Sequence, residues 1–236
     1  MLNILFIPEI ILSIGVMIII LFDLFFQKQK GLSFTLVQFL LLIAAYYSLN
    51  NKFSPSYSAY TLNEFTNVFK FILLVGSLAI FHYTYKHLKF LKILKIEYFT
   101  ISLLGLIGTM IMISANSLLM LYLGIELLSL SLYAVIGFNK KSSLSSEAAI
   151  KYYVLGAMSS GILLFGISLI YGFTGSIAYD DIAYQLINID MNSVDYIAII
   201  FGMIFINPMW EVNLQVLLEH SKSQLGHLNW SIQLPL

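Results

Sequence analysis

Leu118–Phe138 reads LLMLYLGIELLSLSLYAVIGF, with one ionisable side chain, Glu126, near its middle. A helix of roughly 20 apolar residues, rising about 1.5 Å per residue, crosses the hydrocarbon core of a bilayer. A carboxylate at the centre of such a helix costs about 2.5–3.5 kcal/mol to insert. Glu126 lies too far from either surface to snorkel out. Ionisable groups so placed face a bundle interior or a water-filled cavity and mark ion pathways. The competing reading of Glu126 is a protonated acid hydrogen-bonded to a neighbouring helix, holding the bundle together.

The rest of the chain agrees with a membrane. Its 236 residues are 59% hydrophobic and 10% charged, with a mean hydropathy of +0.89. Soluble domains carry about a quarter of their residues as charges. Net charge is zero, so composition makes no electrostatic case for nucleic acid. The chain has no cysteine, which excludes disulfides, cysteine-ligated zinc and protein-bound iron–sulfur clusters. All 12 basic residues are lysine, and Ile, Phe and Tyr abound, a bias that points to an AT-rich genome such as an organelle's. Nothing in the sequence resembles a metal cluster, a nucleophile with its base, a phosphate loop or a nucleotide fingerprint.

Six stretches meet or approach the spanning length: 4–26, 32–49, 65–85, 98–115, 117–138 and 147–171. A partial seventh runs from Val194 to Ile206. The first lacks a basic leader and a small-residue cleavage site, so it reads as a retained helix. The loops after helices one, three and five hold Lys28 and Lys30, then Lys86, Lys89, Lys92 and Lys95, then Lys140 and Lys141. The loops after helices two, four and six hold only Lys52. Short-loop lysines stay on the cytoplasmic or matrix side, which places the N-terminus outside. Loop 172–193 then lies outside too, with Asp180, Asp181 and Asp190, and its stretch Ile182–Ile187 reads as a short interfacial helical turn. The expected fold is an all-α polytopic bundle of about six full helices plus a partial seventh. It divides into helices 1–4 (1–115), helices 5–7 (116–206) and a polar tail (207–236).

Other charges fall within the spans. Lys151 follows Glu147 by four residues, so the two share one helix face, with Ser145 or Ser146 as cap. Two readings of Lys151 are balanced: a snorkelling helix-start pair with Glu147, or a partner for Glu126 on the preceding antiparallel helix. The short loop Asn139–Ser146 joins those helices and leaves the two charges offset in depth by about 8–12 Å. A nearby lysine lowers a carboxylate's pKa while desolvation raises it, so such a pair holds or releases a proton. Glu9, Asp23, Lys70 and His82 lie near helix ends and read as interfacial. Gly156, Ala157, Ser159, Ser160, Gly161 and Gly166 in helix six read as packing residues.

The segment from Leu121 through Ser176 resembles the antiporter-like subunit 2 of respiratory complex I, NADH:ubiquinone oxidoreductase, called subunit N in bacteria. The resemblance rests on G-I-E-L-x-S-L at Gly124–Leu130, on S-x-E-A-x-x-K-Y at Ser145–Tyr152, and on G-A-x-S-S-G at Gly156–Gly161. FIPEI at Phe6–Ile10 fits as well, and the likeness covers roughly residues 1–206. It implies a proton-pumping module in which Glu126 and Lys151 form the coupled pair of a half-channel, supported by Glu147. It also implies that this chain binds no cofactor, with NADH, FMN, iron–sulfur clusters and ubiquinone held by other subunits. Its partners would be the other membrane-arm subunits and the lipid bilayer, in the inner mitochondrial membrane or a bacterial plasma membrane. A family member is about twice this length, and the lysine-bearing later helices have no counterpart here. A second chain completing the subunit, a truncated product and a coding artefact all stay open. The alternative functions are a multisubunit cation/proton antiporter subunit and a scaffold without pumping competence.

Overall fold

The computed structural model describes residues 7–25, 30–50, 59–90, 94–139 and 143–188. Seven helices account for most of them: α1 (Ile7–Phe25), α2 (Lys30–Asn50), α3 (Glu64–Phe90), α4 (Glu97–Ile113), α5 (Leu118–Ile136), α6 (Ser143–Thr174) and α7 (Tyr179–Asn188). Five of these, all but α4 and α7, are long and apolar enough to cross a membrane. Without water to serve the backbone, helices satisfy their own N–H and C=O groups, which is why each apolar run folds this way.

The chain forms two compact units, Met1–Val135 and Ile136–Leu236. In the first, α1 packs on α2, α2 on α3, α3 on α4 and α4 on α1, closing a four-helix ring. Its core runs through Leu12, Val16 and Ile19 of α1, Val37 and Leu41 of α2, Leu74 of α3, and Leu103 and Met110 of α4. The opposite face of α1 is equally apolar, with Ile10, Ile14, Met17, Ile18 and Leu21 exposed. A helix that is hydrophobic on both sides belongs in lipid. At the end of the ring where α1 finishes, Phe34 stacks on Tyr85 at 4.0 Å and meets Phe99 at 5.1 Å, which Phe81 touches at 5.6 Å. At the other end, residues 59–61 lie against the turn after α4. Tyr60 pairs with Ala115 in an isolated β-bridge, with Thr61 N–H donating to the Ser114 carbonyl.

Helix α5 joins the ring by close approach to α4. A Cβ on Gly108 would lie 2.8 Å from the Gly124 carbonyl oxygen and from the Leu128 nitrogen. A Cβ on Gly124 would meet the Gly108 carbonyl at 2.9 Å. The two glycines therefore let the backbones touch, the usual packing device where lipid supplies no hydrophobic drive.

In the second unit α6 buries a helical stripe of Tyr152, Gly156, Ser159, Ser160, Leu163, Gly166, Ile167 and Ile170. Gly156, Ser159, Ser160 and Gly166 thus lie on the buried face expected of packing residues, while Ala157 and Gly161 are exposed. The helix ends at Gly175, whose φ of +69° and N–H to the Tyr171 carbonyl (2.8 Å) make a left-handed cap. The expected interfacial turn is the ten-residue helix α7.

Several boundaries differ from the sequence reading. Lys86 and Lys89 belong to the end of α3, not to a loop, where cations favour the helix C-terminus. Helix α4, 17 residues long, rises only about 26 Å, a few ångströms short of a typical hydrocarbon core. Helix α6 begins at Ser143, so Ser145 sits inside it. Its hydroxyl donates instead to the Ile136 carbonyl at 2.5 Å. The partial seventh span at 194–206 and the polar tail 207–236 lie outside the described residues.

Candidate functional site

Glu126 sits halfway along α5 and is partly buried. At 100° per residue, Gly124, Leu128 and Ser131 make the face that meets α4, and Glu126 falls on the opposite face with Tyr122, Ser129 and Tyr133. The carboxylate is thus turned away from the α4–α5 seam. An apolar cleft of about 300 Å³ opens on the seam side. Leu73 and Phe81 of α3, Tyr98 and Gly105 of α4, and Leu132 and Val135 of α5 line it, and Glu126 is not among its walls. This cleft is therefore separate from Glu126.

Lys151 lies eight residues into α6, about 12 Å from its start. Its ammonium donates to Glu147 Oε1 at 2.6 Å, with the two side chains 68% and 60% exposed. The i,i+4 spacing alone produces this pair. Because α6 begins at Ser143, Glu147 stands in the second turn rather than the first. Glu126 belongs to the first compact unit and Lys151 to the second.

Two of the charges read as interfacial take a different place. Glu9 is 4% exposed and Lys70 is 0% exposed, and Lys70 Nζ lies 2.7 Å from Glu9 Oε1. Tyr60 completes the group by donating to Glu9 Oε1 at 2.9 Å and accepting from Lys70 Nζ at 2.5 Å. Lys70 also sits over the Tyr60 ring, 4.8 Å from its centroid. Burial in an apolar environment removes the water that snorkelling would have supplied, so the charges neutralise each other instead. The sequence did contain the signal: opposite charges at the same expected depth on the first and third spans. Asp23 and His82 keep to the periphery. Asp23 is half-buried and accepts from Ser33 at 3.2 Å, and the exposed His82 ring meets Gln38 at 3.1 Å. Among the described residues no group of three or more His, Cys, Asp or Glu is arranged to hold a metal.

Comparison with known proteins follows this geometry. Residues 115–217 match the family described as NADH:quinone oxidoreductase/Mrp antiporter, transmembrane. NADH-quinone oxidoreductase subunit N of Ruthia magnifica is 38% identical over 204 residues, which are 84% of this chain and 42% of that protein. The subunit N of Hydrogenovibrio crunogenus is 35% identical over 206 residues, 85% and 42% of the two chains. That of Thioalkalivibrio sulfidiphilus is 39% identical over 188 residues, 77% and 39%. The chain therefore spans about two fifths of the length of these curated relatives. A chain of respiratory complex I from Thermus thermophilus superposes with a TM-score of 0.61 at 22% identity, over 88% of this chain and 43% of that one. A chain of an archaeal membrane-bound sulfane sulfur reductase gives 0.69 at 22% identity, over 84% and 42%. At that identity the two structures speak for the fold alone.

Proposed function

We propose, on the premise that the chain belongs to the antiporter-like membrane subunits of NADH:quinone oxidoreductase and corresponds to the N-terminal part of subunit N, that it contributes a proton-holding element to the membrane arm of that enzyme. The observation that carries the reading is Glu126, an acid halfway along an apolar helix and out of reach of both ends. In this role Glu126 takes up and releases a proton at mid-membrane. Lys151 is its coupled charge partner in this reading. Glu147, already paired to Lys151 at 2.6 Å, gives the lysine a second carboxylate to rest on when Glu126 is protonated.

No redox step falls to this chain. NADH, FMN, iron–sulfur clusters and ubiquinone belong to partner subunits, and their electron transfer supplies the energy for the proton movement. The match covers about two fifths of the curated relatives' length, and the rest of the proton route falls outside it in this reading. The lysine-only, Ile- and Tyr-rich composition supports an inner mitochondrial membrane, and the bacterial relatives support the equivalent plasma membrane.

The test is Glu126→Gln in the assembled complex, with proton translocation driven by NADH as the readout. Translocation falls while assembly persists; normal pumping by an assembled variant overturns the assignment. Lys151→Ala lowers translocation to a similar or smaller degree. Loss of assembly with normal pumping per assembled complex would assign Lys151 to packing instead. The matching family also covers Mrp antiporters, so a second reading is a subunit of a multisubunit cation/proton antiporter. Co-purification with quinone-reducing subunits supports the first reading, and sodium/proton exchange by vesicles holding no redox partner supports the second.

A further inference from the structure

The most deeply buried charges among the described residues are Glu9 and Lys70, and the proposal above uses neither. Glu9 stands in the first turn of α1, where the helix dipole favours an anion, and Lys70 in the second turn of α3. Tyr60 bridges them from the segment that precedes α3. Three helices are drawn together here, because the turn after α4 holds the Tyr60 segment through Thr61 N–H to Ser114 O at 2.9 Å and Asn116 N–H to Ala59 O at 3.0 Å.

The ion pair accounts for one carboxylate oxygen only. Three buried side-chain atoms have no hydrogen-bond partner among the described residues: Glu9 Oε2, Asn67 Oδ1 and Ser114 Oγ. Glu9 belongs to the group itself, and Asn67 and Ser114 stand on the helix and turn that flank it. Asn67 precedes Lys70 by three residues on one face of α3. Ser114 lies beside the Tyr60 hydroxyl. Leaving one such atom dry is costly, and three on neighbouring residues would be an unusual concentration of cost.

We propose that this end of the bundle is a binding site for ordered water, in which water completes the Glu9–Lys70–Tyr60 group and fastens α1 to α3 and to the end of α4. The chemistry of the three atoms matches that ligand. Glu9 Oε2 and Asn67 Oδ1 only accept, whereas the Ser114 hydroxyl can donate. Water donates two hydrogen bonds and accepts two, so one or two molecules satisfy the whole set, and the Lys70 ammonium beside Glu9 disfavours a second cation there. Buried waters in proteins hold their place through about three such contacts.

The test uses the full chain, in its complex or in lipid nanodiscs. A map fine enough to resolve water places density in hydrogen-bond contact with at least two of Glu9, Asn67 and Ser114. A dry site, or a protein side chain filling that space, overturns the proposal. Thermal unfolding in detergent supplies the second readout. Glu9→Gln and Lys70→Met each lower the midpoint, and the double variant lowers it by less than the sum of the two. Additive losses overturn the fastening role. If the single variants do not accumulate, Ser114→Ala and Tyr60→Phe carry the test, since both leave the ion pair in place. Ser114→Ala lowers the midpoint and removes water density; an unchanged midpoint with unchanged density overturns the proposal. Pumping in an assembled Glu9→Gln variant follows the amount of complex present. Abolished pumping at normal assembly would make Glu9 part of the proton route and overturn the structural role, leaving the reading of Glu126 untouched.

Discussion

Glu9 lies 2.7 Å from Lys70 Nζ with almost no access to solvent, whereas Glu147 reaches Lys151 from an open side of α6. The two pairs have the same chemistry and opposite costs. Removing one partner of a buried pair leaves an uncompensated charge, a loss of about 3–5 kcal/mol. The exposed i,i+4 pair, screened by solvent, contributes far less. Sequence singled out Glu126 because an ionisable group in the middle of an apolar run is costly to insert. For Glu9 it offered only the opposite charge of Lys70 at the same expected depth, since a charge near a helix end looks the same whether it meets water or a neighbour. Tyr60 adds a pH signature to that site. Burial raises the tyrosine's pKa far above its ordinary 10.0, and the adjacent Glu9 carboxylate raises it further. The folded state then holds this proton where the unfolded chain releases it, so the contribution is complete below pH 10 and is lost as pH rises above it. Thermal midpoints measured across that range fall more steeply for the native chain than for Tyr60→Phe, which lacks the titrating hydroxyl. Equal slopes would place Tyr60 in contact with water.

Helix positions were recoverable from hydropathy because lipid demands long apolar runs with self-satisfied backbones. Helix ends were not, as Lys86, Lys89 and Ser145 illustrate. A lysine continues a helix as readily as it closes one, and a serine before a Glu reads as a cap wherever the helix starts. The α4–α5 crossing was also hidden. Gly105 and Gly108 lack any local signal separating them from other glycines of an apolar helix, and only the partner backbone gives them a task. A side chain at Gly108 has nowhere to go, since the atoms it would strike are backbone, and one at Gly124 would strike Met112 Cγ as well as the Gly108 carbonyl. Gly108→Val is expected to lower stability by about 1–3 kcal/mol or more through overpacking. Gly161→Ala, where a Cβ meets nothing within 4 Å, leaves stability unchanged or slightly raised. Unfolding midpoints of the two variants in the same detergent check the contrast, and equal effects would remove the crossing as a determinant of the fold.

At the scale of the whole molecule, the lysine distribution predicts a sidedness that labelling can read. The chain has no cysteine, so each single-cysteine variant reports one position only. Ala59→Cys and Asp180→Cys, both at exposed positions, react from the outer side of sealed vesicles, and Lys86→Cys reacts from the inner side. Labelling of all three from one face would contradict the orientation. Composition alone settled the class of the molecule, because so few charges cannot dress a soluble surface. It could not reveal that the chain divides into two units between Val135 and Ile136, since hydropathy carries no record of which span packs on which.

The glycine contact between α4 and α5 has a bearing on where Glu126 can be. Gly124 is two residues from Glu126, and no side chain intervenes between its backbone and that of Gly108. Helix α4 is in turn seated in the ring with α1 and α3, whose far ends are joined through Glu9 and Lys70. The acid at mid-membrane is thus surveyed from a fixed benchmark. A slack ring would let α5 roll, and a roll of one residue's angle swings a carboxylate by about 100° around the helix. The tolerance within which Glu126 is aimed thus depends on the Glu9–Lys70 pair.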